Sequence, residues 1–296
     1  MLTLILIFLL IPELYAEEFL SQRTREVEVV FTSHLKDISQ EVLTIYPLVR
    51  DELETELKLK IDILPMVVLT NRNDFKKIVS SDFIIAFAMP DKKLIVIDTS
   101  RVYTKPFTLK TTLQHELCHL LLHRHVEKKN LPRWLDEGIC QWVSGGISEL
   151  MVEHQERTLS KAVVSNRLID INTLERFPTD EQNLVLAYEE SKSLIEFIEK
   201  KYGKEGILSM LGYLKEGNSV NESISKALGL TIHELESLWH ADLKKKHTWF
   251  LYLSNNIYTI LFAFATLVMI YGFIRFLKRK REYVDEEQDI NDRNIR

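Results

Sequence analysis

Cysteine is almost absent from this 296-residue sequence: Cys118 and Cys140 are the only two, so no disulfide framework organises the fold. Glycine and proline are sparse, at nine and seven residues, which argues against long disordered linkers. Neither charge sign dominates. The 38 Lys and Arg face 43 Asp and Glu, for a formal charge of −5 and a pI near 6.0. The basic footprint of a nucleic-acid binder is therefore missing, and no nucleic-acid partner is expected. There is no internal repeat and no low-complexity tract. What is present, 46% hydrophobic and 27% charged, suits one ordinary globular domain with membrane segments added.

Two apolar stretches stand at the ends. Leu2 to Ile11 is too short to cross a bilayer, which takes roughly 20 residues. Leu14-Tyr15-Ala16 behind it has the form of a small-residue cleavage site, so residues 1–16 are expected to be a signal peptide, although no Lys or Arg precedes the apolar core. Ile257 to Ile274 carries no charge, and Trp249, Phe250 and Tyr252 extend it as an interfacial belt, so residues 250–276 are expected to span the membrane. Lys278-Arg279-Lys280-Arg281 and an acidic tail follow, which argues against a lipid-anchor signal ending in its hydrophobic segment. With an export signal in front, residues 17–246 are expected outside the cytoplasm and residues 277–296 inside it. A bacterial inner membrane suits this plan.

Between these ends the hydrophobic period changes once. Arg25 to Thr32 and Leu64 to Thr70 read as strands, with an amphipathic helix between them, kinked or interrupted at Pro47. Asn71 opens a short helix, and Phe83–Met89 and Leu94–Asp98 form a hairpin around Pro90-Asp91-Lys92-Lys93. After Tyr103–Pro106 the pattern is helical: about Phe107–Arg124, Arg133–Val143, Asn183–Tyr202 with Gly203 as its stop, a helix ending before Gly217, Asn221–Leu228, and Thr231 to about Lys246. The expected class is α+β: a small mixed or antiparallel sheet with a helix, then a helical half, then one transmembrane helix.

The helical half opens on His115-Glu116-Leu117-Cys118-His119, the pattern HExxH. Four residues apart on a helix, the two imidazoles project from one face and can grip one metal ion, and Glu116 lies where it can take a proton from a metal-activated water. A catalytic zinc needs a third protein ligand. Spacing offers two. His125 sits ten residues after His115, but a chain that brings such a histidine back turns at a glycine, and here Leu122 continues an apolar helix. Glu137, in Trp134-Leu135-Asp136-Glu137-Gly138, lies far enough on to enter a second helix.

HExxH followed by Trp134-Leu135-Asp136-Glu137-Gly138 resembles the gluzincin clan of zinc metallopeptidases, and most closely its peptidase MA-like family. The resemblance covers about residues 82–243. It implies a thermolysin-like zinc site of His115, His119 and Glu137 holding one Zn2+, with Glu116 as general base and acid. It implies a transition-state hydrogen bond from Tyr188, whose other reading is a core tyrosine with its hydroxyl paired. It also implies that a peptide adds to the edge of Ala86, Phe87 and Ala88, which otherwise read as hairpin core. In the thermolysin branch an aspartate orients the first histidine from four residues after the ligand glutamate; Gln141 stands there, and its carbonyl can accept the imidazole N–H but adds no charge. Cys118 and Cys140 read as small buried packing residues, or as a bonded pair in an oxidising compartment. The expected activity is peptide hydrolysis on a peptide or protein substrate by a membrane-anchored zinc enzyme; the alternative is a non-catalytic, membrane-tethered binding module on the same fold.

Overall fold

The computed structural model describes residues 19–79, 84–105, 107–145, 155–255 and 257–294; the expected signal peptide lies outside them. The chain divides into two units, residues 1–242 and 243–296. The first is α+β, as the hydrophobic periods require.

Five strands form one sheet: β1 (Phe19–Arg23), β2 (Glu28–Thr32), β3 (Met66–Thr70), β4 (Ala86–Met89) and β5 (Leu94–Asp98), in the order β1-β2-β3-β5-β4. β2, β3 and β5 are parallel neighbours, while β1 and β4 close the two edges antiparallel. The three inner strands, EVVFT, MVVLT and LIVID, are buried along almost their whole length, so they carry continuous β-branched runs rather than alternation. Two-faced burial needs cover. α1 (Lys36–Leu57) supplies part of it, turning Val42, Tyr46, Val49, Leu53 and Leu57 inward and packing on β2. Pro47 does not interrupt this helix; the apolar stripe continues on both sides of it and offsets the hydrogen bond that the proline withholds from the Leu43 carbonyl. α2 (Arg72–Ile78) is capped by the Asn71 side chain, which accepts from the Asp74 N–H at 3.0 Å.

The helical half begins with α3 (Leu109–His125), started by a reciprocal cap between Thr108 and Thr111. It is buried from Thr112 to Leu122, packed by α1, β4 and α4 (Arg133–Val143). α5 (Gln155–Ser165) and α6 (Glu181–Lys215) follow, the latter broken where Gly203 takes φ 71°. α7 (Val220–Leu228) has a Ser219–Glu222 capping box, and α8 (Ile232–Asn255) comes last before the final helix. α4 and α6 meet at Gly138. A Cβ there would lie 2.6 Å from the Ser191 carbonyl oxygen and 2.6 Å from Ile195 Cγ1, so only glycine lets the two backbones approach this closely.

In the second unit, α9 (Ile257–Asn294) contains Ile257–Phe276, a stretch long and apolar enough to cross a membrane. Its side chains there are solvent-facing, including Phe262, Phe264, Leu267 and Phe273. A helix apolar on every side is unsuited to water.

Candidate metal centre

Where α3, α4 and α6 converge, the core turns polar: His115, Glu116, His119, Asp136, Glu137, Gln141, Ser144 and Glu190 are all buried. Buried charges persist only when paired or bound to a metal. The α3 periodicity stacks His115 and His119 with ring centroids 4.8 Å apart, edge to face. Their Nε2 atoms are 3.2 Å apart, and Glu137 Oε2, brought from α4, lies 3.5 Å from the first and 3.6 Å from the second. Zinc bonds of about 2.0–2.2 Å place tetrahedral ligand atoms about 3.3–3.6 Å from one another. The triangle fits.

The other side of each ligand explains its aim. His119 Nδ1 donates to Asp136 Oδ1 at 2.8 Å, and His123 Nε2, one turn further along α3, donates to Asp136 Oδ2 at 3.0 Å. Ser144 Oγ lies 3.5 Å from His115 Nδ1 and itself donates to the Cys140 carbonyl at 2.7 Å. Glu137 Oε1 is taken by Arg133 Nη2 at 2.6 Å, one turn back on α4. With those atoms committed, both imidazole Nε2 atoms and Glu137 Oε2 present lone pairs to one point. Glu137 Oε2 is buried, and among the described residues it accepts no hydrogen bond; the two ring nitrogens are 3.5 and 3.6 Å from it. Three acceptor atoms converging in a buried site repel unless a cation sits among them.

The charges agree. Burial lowers the His119 pKa, but the carboxylates of Asp136 and Glu137 override it and hold it near 10, so this cluster favours a positive charge at its centre. Burial disfavours ionised Asp136, yet His119 and His123 keep its carboxyl far below the usual range. Burial likewise works against ionised Glu137, yet Arg133, His119 and His115 together hold its carboxyl below the usual range. Glu116 is fully buried next to His115 in the chain, and its charge also acts on His119.

Tyr188, on α6, brings its hydroxyl 3.5 Å from Glu137 Oε1 and within 3.2 Å of Arg133 Nη2. Its ring meets Phe177 edge to face, with centroids 5.0 Å apart. Gln141 is engaged elsewhere than expected: its Nε2 donates to the Tyr188 carbonyl at 3.1 Å, tying α4 to α6, while Ser144 is the group found beside His115 Nδ1. His125 stands apart from the triangle, at 2.7 Å from the Lys60 carbonyl, because α3 runs on through Leu122 to His125. β4 is a sheet edge packed against α3. Ala86 is buried; the Phe87 side chain joins the core under the sheet, 5.7 Å from the Phe75 ring. Ala88 pairs with Ile95. Ile84, just before the strand, packs on Tyr188 and Val185, so this edge begins beside the metal triangle.

Cys118 and Cys140 are bonded, with Cα atoms 5.4 Å apart, joining α3 to α4 through the buried core. The packing reading gives way to the paired one because the two helices cross at this point. Three further groups escaped the sequence reading: Asp136, Arg133 and His123. Asp136 had a signal, since a metal-binding histidine needs an acceptor on its other nitrogen and an acid stood next to the ligand glutamate.

No curated protein matches the chain. The sequence model of the Peptidase MA superfamily matches residues 70–245, from the end of β3 through α8's first part, and takes in every residue of the metal triangle. That match covers more than half of the 296 residues, and the chain belongs to the Peptidase MA superfamily.

Proposed function

We propose that this protein is a membrane-anchored, zinc-dependent peptidase. The observation that carries the reading is the triangle of His115 Nε2, His119 Nε2 and Glu137 Oε2, with sides of 3.2, 3.5 and 3.6 Å, and Glu116 buried next to it. His115, His119 and Glu137 would hold a zinc ion there, and its Lewis acidity would lower the pKa of a water and polarise a carbonyl. Glu116 accepts the proton of the attacking water and returns it to the leaving amine. Arg133 holds Glu137 Oε1 away from the triangle and positions the Tyr188 hydroxyl, which donates to the oxyanion of the substrate. Asp136 fixes the His119 tautomer. A peptide chain adds to the edge of β4, where Ala86 and Ala88 leave room for its backbone.

The span Ile257–Phe276 anchors the enzyme. Taken with the apolar segment and small-residue site of residues 1–16, it supports an extracytoplasmic domain over residues 17–246, with 277–296 in the cytoplasm of a bacterial cell. The Cys118–Cys140 bond fits that oxidising side.

The full chain, purified in detergent, tests the function. Expected are one zinc per chain and hydrolysis of a broad peptide library that disappears in Glu116→Gln with zinc retained. A chain that binds peptides but cleaves none at full zinc loading would instead be a binding module. Metal retained at wild-type affinity in Glu137→Ala would remove the third ligand from the account.

A further inference from the structure

Beside the metal centre, the surface opens into a cavity of about 410 Å3, whose charged lining is Lys128, Lys129, Arg133 and Arg176 against Asp136 and Glu175. Four positive groups face two negative ones, on a chain whose net charge is −5. The acidic side is weaker than the count suggests. Both Asp136 oxygens are already engaged, by His119 and His123. The basic side is less committed. Among the described residues Lys129 has only an exposed pair with Glu127, at 2.7 Å, of a kind worth little in water. Neither Lys128 nor Arg176 makes a side-chain hydrogen bond or an ion pair among the described residues. α4 begins at Arg133, so the positive end of its dipole adds to the same field.

The cavity also adjoins the chemistry. Arg133, on its wall, contacts the ligand Glu137 at 2.6 Å and the Tyr188 hydroxyl at 3.2 Å. Asp136, on the same wall, holds His119. A group bound in the cavity is therefore one side chain removed from the metal triangle. A carboxylate suits it best: two acceptor oxygens match the planar donors of an arginine, and a lysine adds a point charge.

Resting on the peptidase reading above, we propose that this cavity receives a carboxylate of the substrate, so that the enzyme prefers peptides with an acidic group close to the scissile bond. Two sources share that chemistry, a free C-terminus and an Asp or Glu side chain. A free C-terminus would make the enzyme act near chain ends; a side chain would make it an acid-selective endopeptidase.

Zinc-loaded full chain carrying Glu116→Gln, in detergent, holds peptides uncleaved for a binding measurement by fluorescence anisotropy. Two peptide pairs are compared: free acid against C-terminal amide, and Glu or Asp against Gln or Asn at each position around the centre. One pair is expected to show a preference for the carboxylate of about tenfold or more, the scale of a charge-assisted hydrogen bond, and the preference should fade as salt is raised. The pair that responds identifies the source. Adding Arg176→Gln and Lys128→Gln together should bring the ratio within each pair close to one, with zinc content reporting that the fold is kept. Equal binding of acid and amide forms in both pairs overturns the proposal, as does a preference that survives the double substitution. Hydrolysis by the wild-type chain separates the two readings. Cleavage without acid preference sinks this inference alone, whereas acid-selective binding with no cleavage sinks the peptidase reading and leaves the cavity.

Discussion

Replacing Asp136 by asparagine alters a charge while keeping shape. Asp136 is 4% exposed and spans two histidines, accepting from His119 Nδ1 at 2.8 Å and from His123 Nε2 at 3.0 Å. An asparagine carbonyl can still accept from His119, so the ring keeps its tautomer and its aim. What is lost is the negative charge behind the imidazole. A hydrogen bond to an ion is about twice as strong as its neutral counterpart, and partners of metal-bound histidines contribute about 10–100-fold to metal affinity. Asp136→Asn is therefore expected to weaken zinc binding by that range, about 1.4–2.7 kcal/mol. Asp136→Ala should do more, because it also strands a buried N–H at a cost of about 1–3 kcal/mol. The assay is competition for zinc against a chromogenic chelator on the full chain in detergent, with thermal unfolding followed in parallel. Wild-type zinc affinity in a folded Asp136→Asn chain would refute the argument that this carboxylate tunes the ligand.

Further expectations follow from the helices around the site. Burial, aided by the Glu236 charge and opposed by a hydrogen bond from the Ile169 N–H, pushes the Glu190 carboxyl up to about 8. Because its folded pKa lies above the ordinary 4.5, its stabilisation is complete below that value and is lost as pH rises towards 8. Glu190→Gln should flatten this fall in denaturant midpoint between pH 5 and 8; an unchanged slope would point to another group. Gly138→Ala, which forces a Cβ to within 2.6 Å of the Ser191 carbonyl oxygen, should cost about 1–3 kcal/mol of stability and weaken zinc binding by displacing α4. A variant as stable as the wild type would show that α4 and α6 can separate freely. The double change Cys118→Ala and Cys140→Ala opens a loop of 22 residues and should cost about 3 kcal/mol by the chain-entropy estimate. Two thiols titrating in the unreduced wild-type chain would contradict the bond.

Local signals proved legible where one element carried them. α4 begins at Arg133 and ends at Val143, as its amphipathic pattern and preceding proline indicate. The α+β order was readable because the period changes once, near Tyr103. β1 escaped because FLSQR buries chiefly Phe19 and leaves the rest towards water, too little alternation to register. Its antiparallel pairing, and the parallel centre of β2, β3 and β5, depend on how segments cross rather than on their own composition. The same distinction runs through the site. HExxH puts two histidines on one helix by period alone, so the convergence of their rings could be foreseen. Asp136 meets His119 and His123 across two helices, Arg133 reaches Tyr188 on a third, and spacing does not say which of two neighbouring acids faces the histidine pair. Gln141 was expected at His115 because of its offset from Glu137. In the fold that position looks towards α6, and its amide serves the α6 backbone instead.

The bond between Cys118 and Cys140 encloses His119, His123, Asp136 and Glu137 in one covalent ring, with His115 three residues outside it. Two donor side chains confined in a loop of this size, His119 and Glu137, meet each other at an effective concentration in the millimolar range even when the chain is unfolded. For the oxidised chain, metal capture is then close to a chelation reaction rather than a search by distant segments. On the proposed reading, a bound zinc would be retained through partial opening of α3 from α4, and refolding would start from a preassembled pair of donors. Reduction would return those donors to independent motion, so recovery after denaturation should depend on disulfide state more steeply than stability itself.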